Sequence, residues 1–260
     1  MKLVAGNIFG FWMFLVVAIF TLVLINYSKS GKINITLRKI AGLEAIEESI
    51  GRATEMGKPI HFSPGLGDII GATAAETFAA LEVLSYVTRM SAKYNAELVV
   101  TIRQPNVFPL AQESVKQQYM AAGKSDMFKE DTVRFLSNQQ VAYTTGVVGF
   151  MHREKVAANI MAGLYMGEAL LLAEAGAQIG AIQVAITASM TQLPFFVAAC
   201  DYTIIGEELF AAGAYLSQDR IKLGGIAAQD YIKLAVMATA VAGALLMSSG
   251  SNFLNRLLVK

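Results

Sequence analysis

Residues 3–28 carry no charge, and within them residues 8–25 form a continuous apolar run containing Phe9, Phe11, Trp12, Phe14, Ile19 and Phe20. As a helix, such a run rises about 27 Å, close to the hydrocarbon thickness of a bilayer. Trp12 and Tyr27 stand where amphipathic rings meet the two membrane interfaces. The run exceeds the apolar region of a cleaved signal peptide. It ends on Asn26, Tyr27, Ser28 and Lys29 rather than on small residues. It therefore reads as an uncleaved membrane anchor.

A second uncharged run, 234–255, is apolar and rich in Ala and Gly, a composition that suits close helix packing in lipid. Lys29, Lys32, Arg38, Lys39, Arg220, Lys222 and Lys233 lie on the inner side of the two runs, and only Lys2, Arg256 and Lys260 lie outside them. The excess of positive flanks places the middle of the chain in the cytoplasm and both tails across the membrane. The expected organisation is an anchor at 1–28, a cytoplasmic domain at 29–228, and a transmembrane helix with its tail at 229–260, in a two-pass protein of the cell membrane.

The middle alternates strand and helix. Leu43, Ile46, Glu47, Ile50 and Ala53 keep the rhythm of an amphipathic helix, and Gly57 with Pro59 stops it. The pattern predicts strands at 59–62, 97–103, 141–150, 181–187 and 202–205. It predicts helices at 72–93, 109–122, 153–175, 192–199 and 207–216, with a polar surface excursion at 123–140. Parallel neighbours need crossovers, so alternation implies parallel pairing. The strands are apolar on both faces, as a helix-covered sheet requires. The expected fold class is α/β: a three-layer domain with a mostly parallel sheet of about five strands, flanked by N- and C-terminal transmembrane helices. Residues 175–200 are also free of charge, but Gln183, Thr187, Ser189, Gln192 and Pro194 interrupt them, and strand–turn–helix describes them better than a third span.

Composition narrows the chemistry. The chain has 21 basic and 20 acidic residues, a net charge of +1, and so no basic surplus for nucleic acid. A single cysteine, Cys200, excludes an intramolecular disulfide, and two histidines, His61 and His152, in no metal-ligand spacing leave no structural zinc site. No cofactor is expected. No nucleophile elbow and no phosphate-binding lysine loop is present.

The strongest local signal is Gly65, Gly67 and Gly71 between a strand and a helix, a spaced variant of the dinucleotide fingerprint. Arg103, at the end of the second strand, replaces the usual acidic ribose partner. Pro64 and Asp68 speak against a phosphate there, and a tight turn explains the glycines without any ligand. Ligands of open α/β sheets bind at the carboxyl ends of strands. A site assembled from Ser63, Asp68, Asn106, His152, Ser189 and Glu207 is therefore conceivable, with the Gly-rich turn and Arg103 beside it. The same residue types also cap helices and line loops without chemistry.

The stretch 43–65, LEAIEESIGRATEMGKPIHFSPG, resembles the opening of a family of prokaryotic membrane proteins known as a domain of unknown function. The order anchor, α/β domain, anchor is similar as well. The resemblance implies architecture and transfers no catalytic residue.

Charged residues make up 16% of the chain, where about 25% is usual. The two apolar ends explain only part of the deficit, since residues 29–233 hold 38 charges and remain near 19%. Residues 156–200 are the poorest part of the domain. Such a surface calls for a covering partner. The leading expectation is thus a membrane-anchored, self-associating scaffold or accessory subunit of a membrane complex, without catalysis. Its partners would be the lipid bilayer and copies of itself or other membrane-complex subunits. One alternative is a membrane-bound sensor of a nucleotide or small molecule using the turn at 65–71. The other is an enzyme working at the strand ends, with His152 and Glu207.

Overall fold

The structure, a computed structural model, describes residues 8–33, 41–217 and 219–248. The flanking charges Lys2, Arg38, Lys39, Arg256 and Lys260, and the tail beyond Ser248, lie outside the described residues. The described chain forms two compact units.

One unit pairs α1 (Ile8–Lys29) with α9 (Arg220–Ser248). Among the described residues, a single segment, Gly10–Lys29, is long and apolar enough to cross a membrane. Its large side chains, including Trp12, Phe14, Val16, Ile19 and Leu22, are exposed. The expected second span falls within α9, which begins at Arg220 and carries Lys222, Asp230 and Lys233 before its apolar half; no C-terminal span is shown. The two helices run antiparallel. Ser28 Oγ at the end of α1 donates to the Arg220 carbonyl at the start of α9, at 2.6 Å. One turn on, a Cβ on Gly224 would lie 2.9 Å from Ile25 Cα, so the backbones meet where only glycine fits.

The other unit is a wound α/β domain. Its elements are α2 (Ala41–Met56), β1 (Ile60–Gly65), α3 (Ala74–Tyr94), β2 (Leu98–Ile102) and α4 (Val107–Ala121), then β3 (Val133–Phe135), α5 (Gln140–Glu154), β4 (Ala158–Leu164) and α6 (Glu168–Gln178). They are followed by β5 (Ile182–Thr187), α7 (Leu193–Ala199), β6 (Tyr202–Ile205) and α8 (Glu208–Ser217). Six strands pair in parallel in the order β3-β2-β1-β4-β5-β6. The chain therefore fills one half of the sheet, returns to the centre, and fills the other half. Its topological switch point lies between β1 and β4.

Alternation along the strands decides the layers. Ile60, Phe62, Val100, Ile160 and Val184 pack with Leu43, Ile46, Val83, Leu84 and Val115 of α2, α3 and α4. Val99, Met161 and Ala185 pack on the other side with Tyr143, Val147, Leu172 and Phe196 of α5, α6 and α7. Both faces are covered, which is why the strands carry few charges.

Three expectations are corrected. Residues 141–150 are not the third strand but most of α5. Tyr143, Val147, Phe150 and Met151 are buried while Val141 is 79% exposed, which is a helical stripe. The helix expected at 153–175 is instead the end of α5, strand β4, and the first two turns of α6. The polar excursion at 123–140 contains two 3-10 turns, Ser125–Met127 and Glu130–Thr132, and then β3, which raises the sheet to six strands.

Gly224→Leu is expected to force α9 away from α1. Spin labels at Phe14 and Met237, in the detergent-solubilised chain, should move apart by several ångströms; an unchanged distance would refute the close packing.

Candidate functional site

The carboxyl ends of β1 and β4 flank the switch point, and the Gly-rich turn lies there. Gly65 has φ +77°, and a Cβ on it would lie 2.2 Å from the Leu164 carbonyl oxygen. Opposite it, Gly163 has φ +111°, and its Cβ would lie 2.5 Å from the Pro64 carbonyl oxygen. Two glycines therefore let the strand ends close on each other. The Leu66 amide donates to the Leu164 carbonyl at 2.8 Å, extending the pairing past the strand.

The loop between β1 and α3 is held by its own side chains and by those of the segment after β2. The Asp68 amide donates to Thr73 Oγ1 at 3.0 Å, and the Ile69 amide to Asp68 Oδ1 at 2.7 Å. Arg103 Nη1 and Gln104 Nε2 donate to the Leu66 carbonyl at 3.3 and 3.0 Å, and Asn106 Nδ2 to Asp68 Oδ2 at 3.2 Å. Gly67 packs against Thr77 of α3, and Gly71 (φ +84°) faces open space. The spaced glycines thus shape a loop held by Asp68 and Thr73 from within and by Arg103, Gln104 and Asn106 from the segment after β2, and Asp68 presents its carboxylate where a phosphate would approach.

The structure brings Ser63, Gly65, Gly67, Asp68, Arg103 and Asn106 together at the ends of β1 and β2. Ser189 follows β5, two strands from β1, and Glu207 follows β6, three strands away. At about 4.8 Å per strand these lie roughly 10 and 14 Å off. Ser189 is occupied locally: its amide meets Thr187 Oγ1 and its hydroxyl meets Thr191 Oγ1, both at 3.1 Å. His152 does not follow a strand. It sits in the last turn of α5, toward the amino end of β4, whereas Glu207 follows the carboxyl end of β6. The two do not share an edge of the sheet.

Sequence reasoning gave His61 no role, yet it is the centre of a buried polar rank crossing four strands on the face covered by α5, α6 and α7. Its Nδ1 lies 2.8 Å from Asn159 Oδ1 on β4, and its Nε2 lies 2.8 Å from Thr101 Oγ1 on β2. Asn159 Nδ2 donates to Gln183 Oε1 on β5 at 2.9 Å. Gln183 Nε2 donates to the carbonyls of Ala173 and Ala199, each at 2.8 Å. On the other side, the Tyr143 hydroxyl contacts Thr101 Oγ1 at 3.1 Å and Ser63 Oγ at 2.7 Å. His61, Asn159, Gln183, Ser63, Thr101 and Tyr143 are all buried. The signal for them was a period-two polar position in strands otherwise apolar on both faces; Asn159 was hidden because β4 read as helix.

The rank has one direction. Two carbonyls require the NH2 end of Gln183, so its oxygen faces Asn159. That turns the Asn159 NH2 toward Gln183 and its oxygen toward His61. His61 must then carry its proton on Nδ1 and accept at Nε2, and the Thr101 hydroxyl donates to it. Burial drives the His61 pKa down to about 4, against the weaker opposing effect of the Asn159 hydrogen bond, so the ring is neutral near pH 7. A neutral ring fits this arrangement, since a second ring proton would confront the Thr101 hydroxyl proton.

Two cavities lie elsewhere. One of about 280 Å³ runs between α5 and α6, past Val148, His152, Leu171 and Glu174. Another of about 350 Å³ opens at the amino end of β2, beside Tyr119. Cys200 has its pKa pushed up to about 12 by burial and the neighbouring Asp201, so it is a poor nucleophile. Among the described residues no cluster of three or more His, Cys, Asp or Glu side chains is placed to hold a metal ion.

Two outcomes test this geometry. Gly65→Ala should destabilise the protein by about 1–3 kcal/mol, because the left-handed conformation and the Leu164 contact both oppose a Cβ; denaturant midpoints in detergent measure it. As pH falls from 6.5 toward 4, the unfolded chain gains a proton at residue 61 that the native ring refuses. Stability should therefore drop by about 3 kcal/mol over that window and then level off. In His61→Gln this part of the pH dependence should vanish; an identical profile in the variant would refute the assignment.

No curated protein and no solved structure matches the chain. A family model described as a domain of unknown function, DUF6754, matches residues 3–258. With nearly its whole length matched, from the apolar N-terminal run through the wound sheet to the C-terminal segment, the chain belongs to the DUF6754 family.

Proposed function

We propose that this protein is a two-pass membrane scaffold whose cytoplasmic α/β domain self-associates, serving as a homo-oligomeric subunit of a membrane complex without catalysis of its own. The observation that carries this reading is the apolar outer face of α6 and α7 with the loops before them. Leu170, Leu171 and Val197 are 43, 57 and 56% exposed, and Met166 and Met190 in the adjoining loops are 51 and 65% exposed. This is the charge-poor stretch of the domain, and large contiguous apolar surface marks an interaction site.

The occupant is a second copy. The groove between α5 and α6 carries His152 from one helix and Glu174 from the other, with Val148 and Leu171 between them. A patch holding an imidazole on one helix and a carboxylate on the other, around an apolar centre, can meet its own copy across a two-fold axis with each His152 facing the partner's Glu174, as an isologous interface requires. Membrane attachment supports association, because anchored copies meet on a surface rather than in bulk. Anchoring rests on the exposed apolar surface of α1 and its antiparallel partner α9. Lys29 and Lys32 at the α1 end favour a cytoplasmic domain.

Native mass measurement of the full chain in mild detergent is expected to give at least twice the chain mass. Leu171→Glu should shift it toward the single chain by at least tenfold in dissociation constant, while leaving the unfolding midpoint within a few degrees. A wild-type protein that is monomeric at micromolar concentration overturns the proposal.

A further inference from the structure

The end of α1 and the start of α9 form one cationic corner, and backbone geometry sets it. The segment Gly10–Lys29, long and apolar enough to cross a membrane, stops at Lys29. The chain then reverses at Gly31, whose φ is +72°. The Lys32 amide donates to the Tyr27 carbonyl at 3.2 Å and the Gly31 amide to the Ser28 carbonyl at 3.1 Å, the paired bonds of a Schellman cap. The reversal carries the Lys32 ammonium back over the Tyr27 ring, 5.3 Å from its centroid. Lys32 is thereby held beside the last turn of α1.

Helix α9 brings a third cation to the same place. The Ser28 hydroxyl bond to the Arg220 carbonyl and the close approach at Gly224 fix the two helix ends against each other. The Arg220 guanidinium then lies against the reversal, since a Cβ on Gly31 would be 2.8 Å from Arg220 Nη1. Lys29, Lys32 and Arg220 are exposed, and no ion pair among the described residues neutralises any of them. By contrast, Arg52, Lys93, Arg134 and Arg153 of the α/β domain each meet a carboxylate. The adjacent Asp219 caps α9, its Oδ1 accepting from the Ile221 amide at 2.8 Å.

Position and charge together name the partner. A corner at the end of a bilayer-length apolar segment stands at the depth of lipid headgroups, where a tyrosine such as Tyr27 belongs. A guanidinium and two ammoniums brought together from two helices suit a phosphodiester, because arginine offers a planar pair of donors and lysine a point charge. We propose that this corner binds the phosphate of an anionic phospholipid, the Arg220 guanidinium and the Lys32 ammonium sharing its two free oxygens and Lys29 adding its charge beside them. A zwitterionic lipid offers the same phosphate but brings its own cation, which the three basic groups repel. The assignment rests on membrane anchoring of α1 and adds the lipid that the anchor selects. It uses no residue of the α6–α7 face, so self-association is independent of it.

Phosphatidylglycerol and phosphatidylcholine with matched acyl chains are titrated into the full chain in mild detergent, and bound lipid is counted by native mass spectrometry. One phosphatidylglycerol should bind per chain at least tenfold more tightly than phosphatidylcholine. Arg220→Gln and Lys32→Gln should each cut that preference about fivefold, the contribution of one cation near an anionic surface, without lowering the unfolding midpoint. Arg153→Gln, which removes the same charge from α5, should leave the preference unchanged. An equal loss in Arg153→Gln, equal binding of the two lipids, or a full preference in both Arg220→Gln and Lys32→Gln overturns the assignment. Flotation with phosphatidylcholine vesicles separates two failures. A chain that floats yet shows no preference refutes the corner alone, and a chain that does not float refutes the anchoring with it.

Discussion

The polar rank through His61 is the constraint around which the domain is arranged. Four strands place Thr101, His61 with Ser63, Asn159 and Gln183 on the same face, and every such group finds a partner. In a low-dielectric interior an incomplete rank costs more than an apolar one, so these strands can pair in one register only. A slip of one residue would turn His61 and Asn159 to the α2–α3 face and leave Gln183 facing no donor. Apolar burial drives the collapse of this domain. The rank decides which of the compact arrangements is native.

Much of the fold was legible in the sequence, and the failures have physical causes. All six strands lie in one sheet covered on both faces, which favours apolar residues throughout and leaves little alternation to read. Strands β1, β2, β5 and β6 were still found, because β-branched residues cluster in them or turn residues bound them. Strand β4, ANIMAGL, has only one β-branched residue, and Ala and Met fit helix equally well. Helix α5 failed the other way. Val141, Thr144, Thr145, Val147 and Val148 have strand propensity, and burial of one stripe outweighed it. The 3-10 turns and β3 were masked by polarity, since an edge strand of three residues contributes little apolar signal.

The candidate site was legible in part for a related reason. The cluster of Ser63, Gly65, Gly67, Asp68, Arg103 and Asn106 at adjacent strand ends follows from strand–helix alternation alone. The roles of these residues do not. Glycine spacing cannot distinguish a phosphate cradle from two backbones pressed together, and here Gly65 opposes Leu164 while Gly163 opposes Pro64. His152 and Glu207 were grouped because helix α5 was taken for a strand, which moved His152 from one edge of the sheet to the other.

The fixed direction of the polar rank ties distant events together. The carbonyls that orient Gln183 belong to Ala173, within α6, and Ala199, at the end of α7. Until both helices have docked, nothing dictates which nitrogen of the His61 ring holds the proton, although that ring lies two strands away. Its tautomer is therefore an internal witness to the assembly of the second half of the domain, readable from imidazole nitrogen shifts two strands away from the side chain that the helix carbonyls orient.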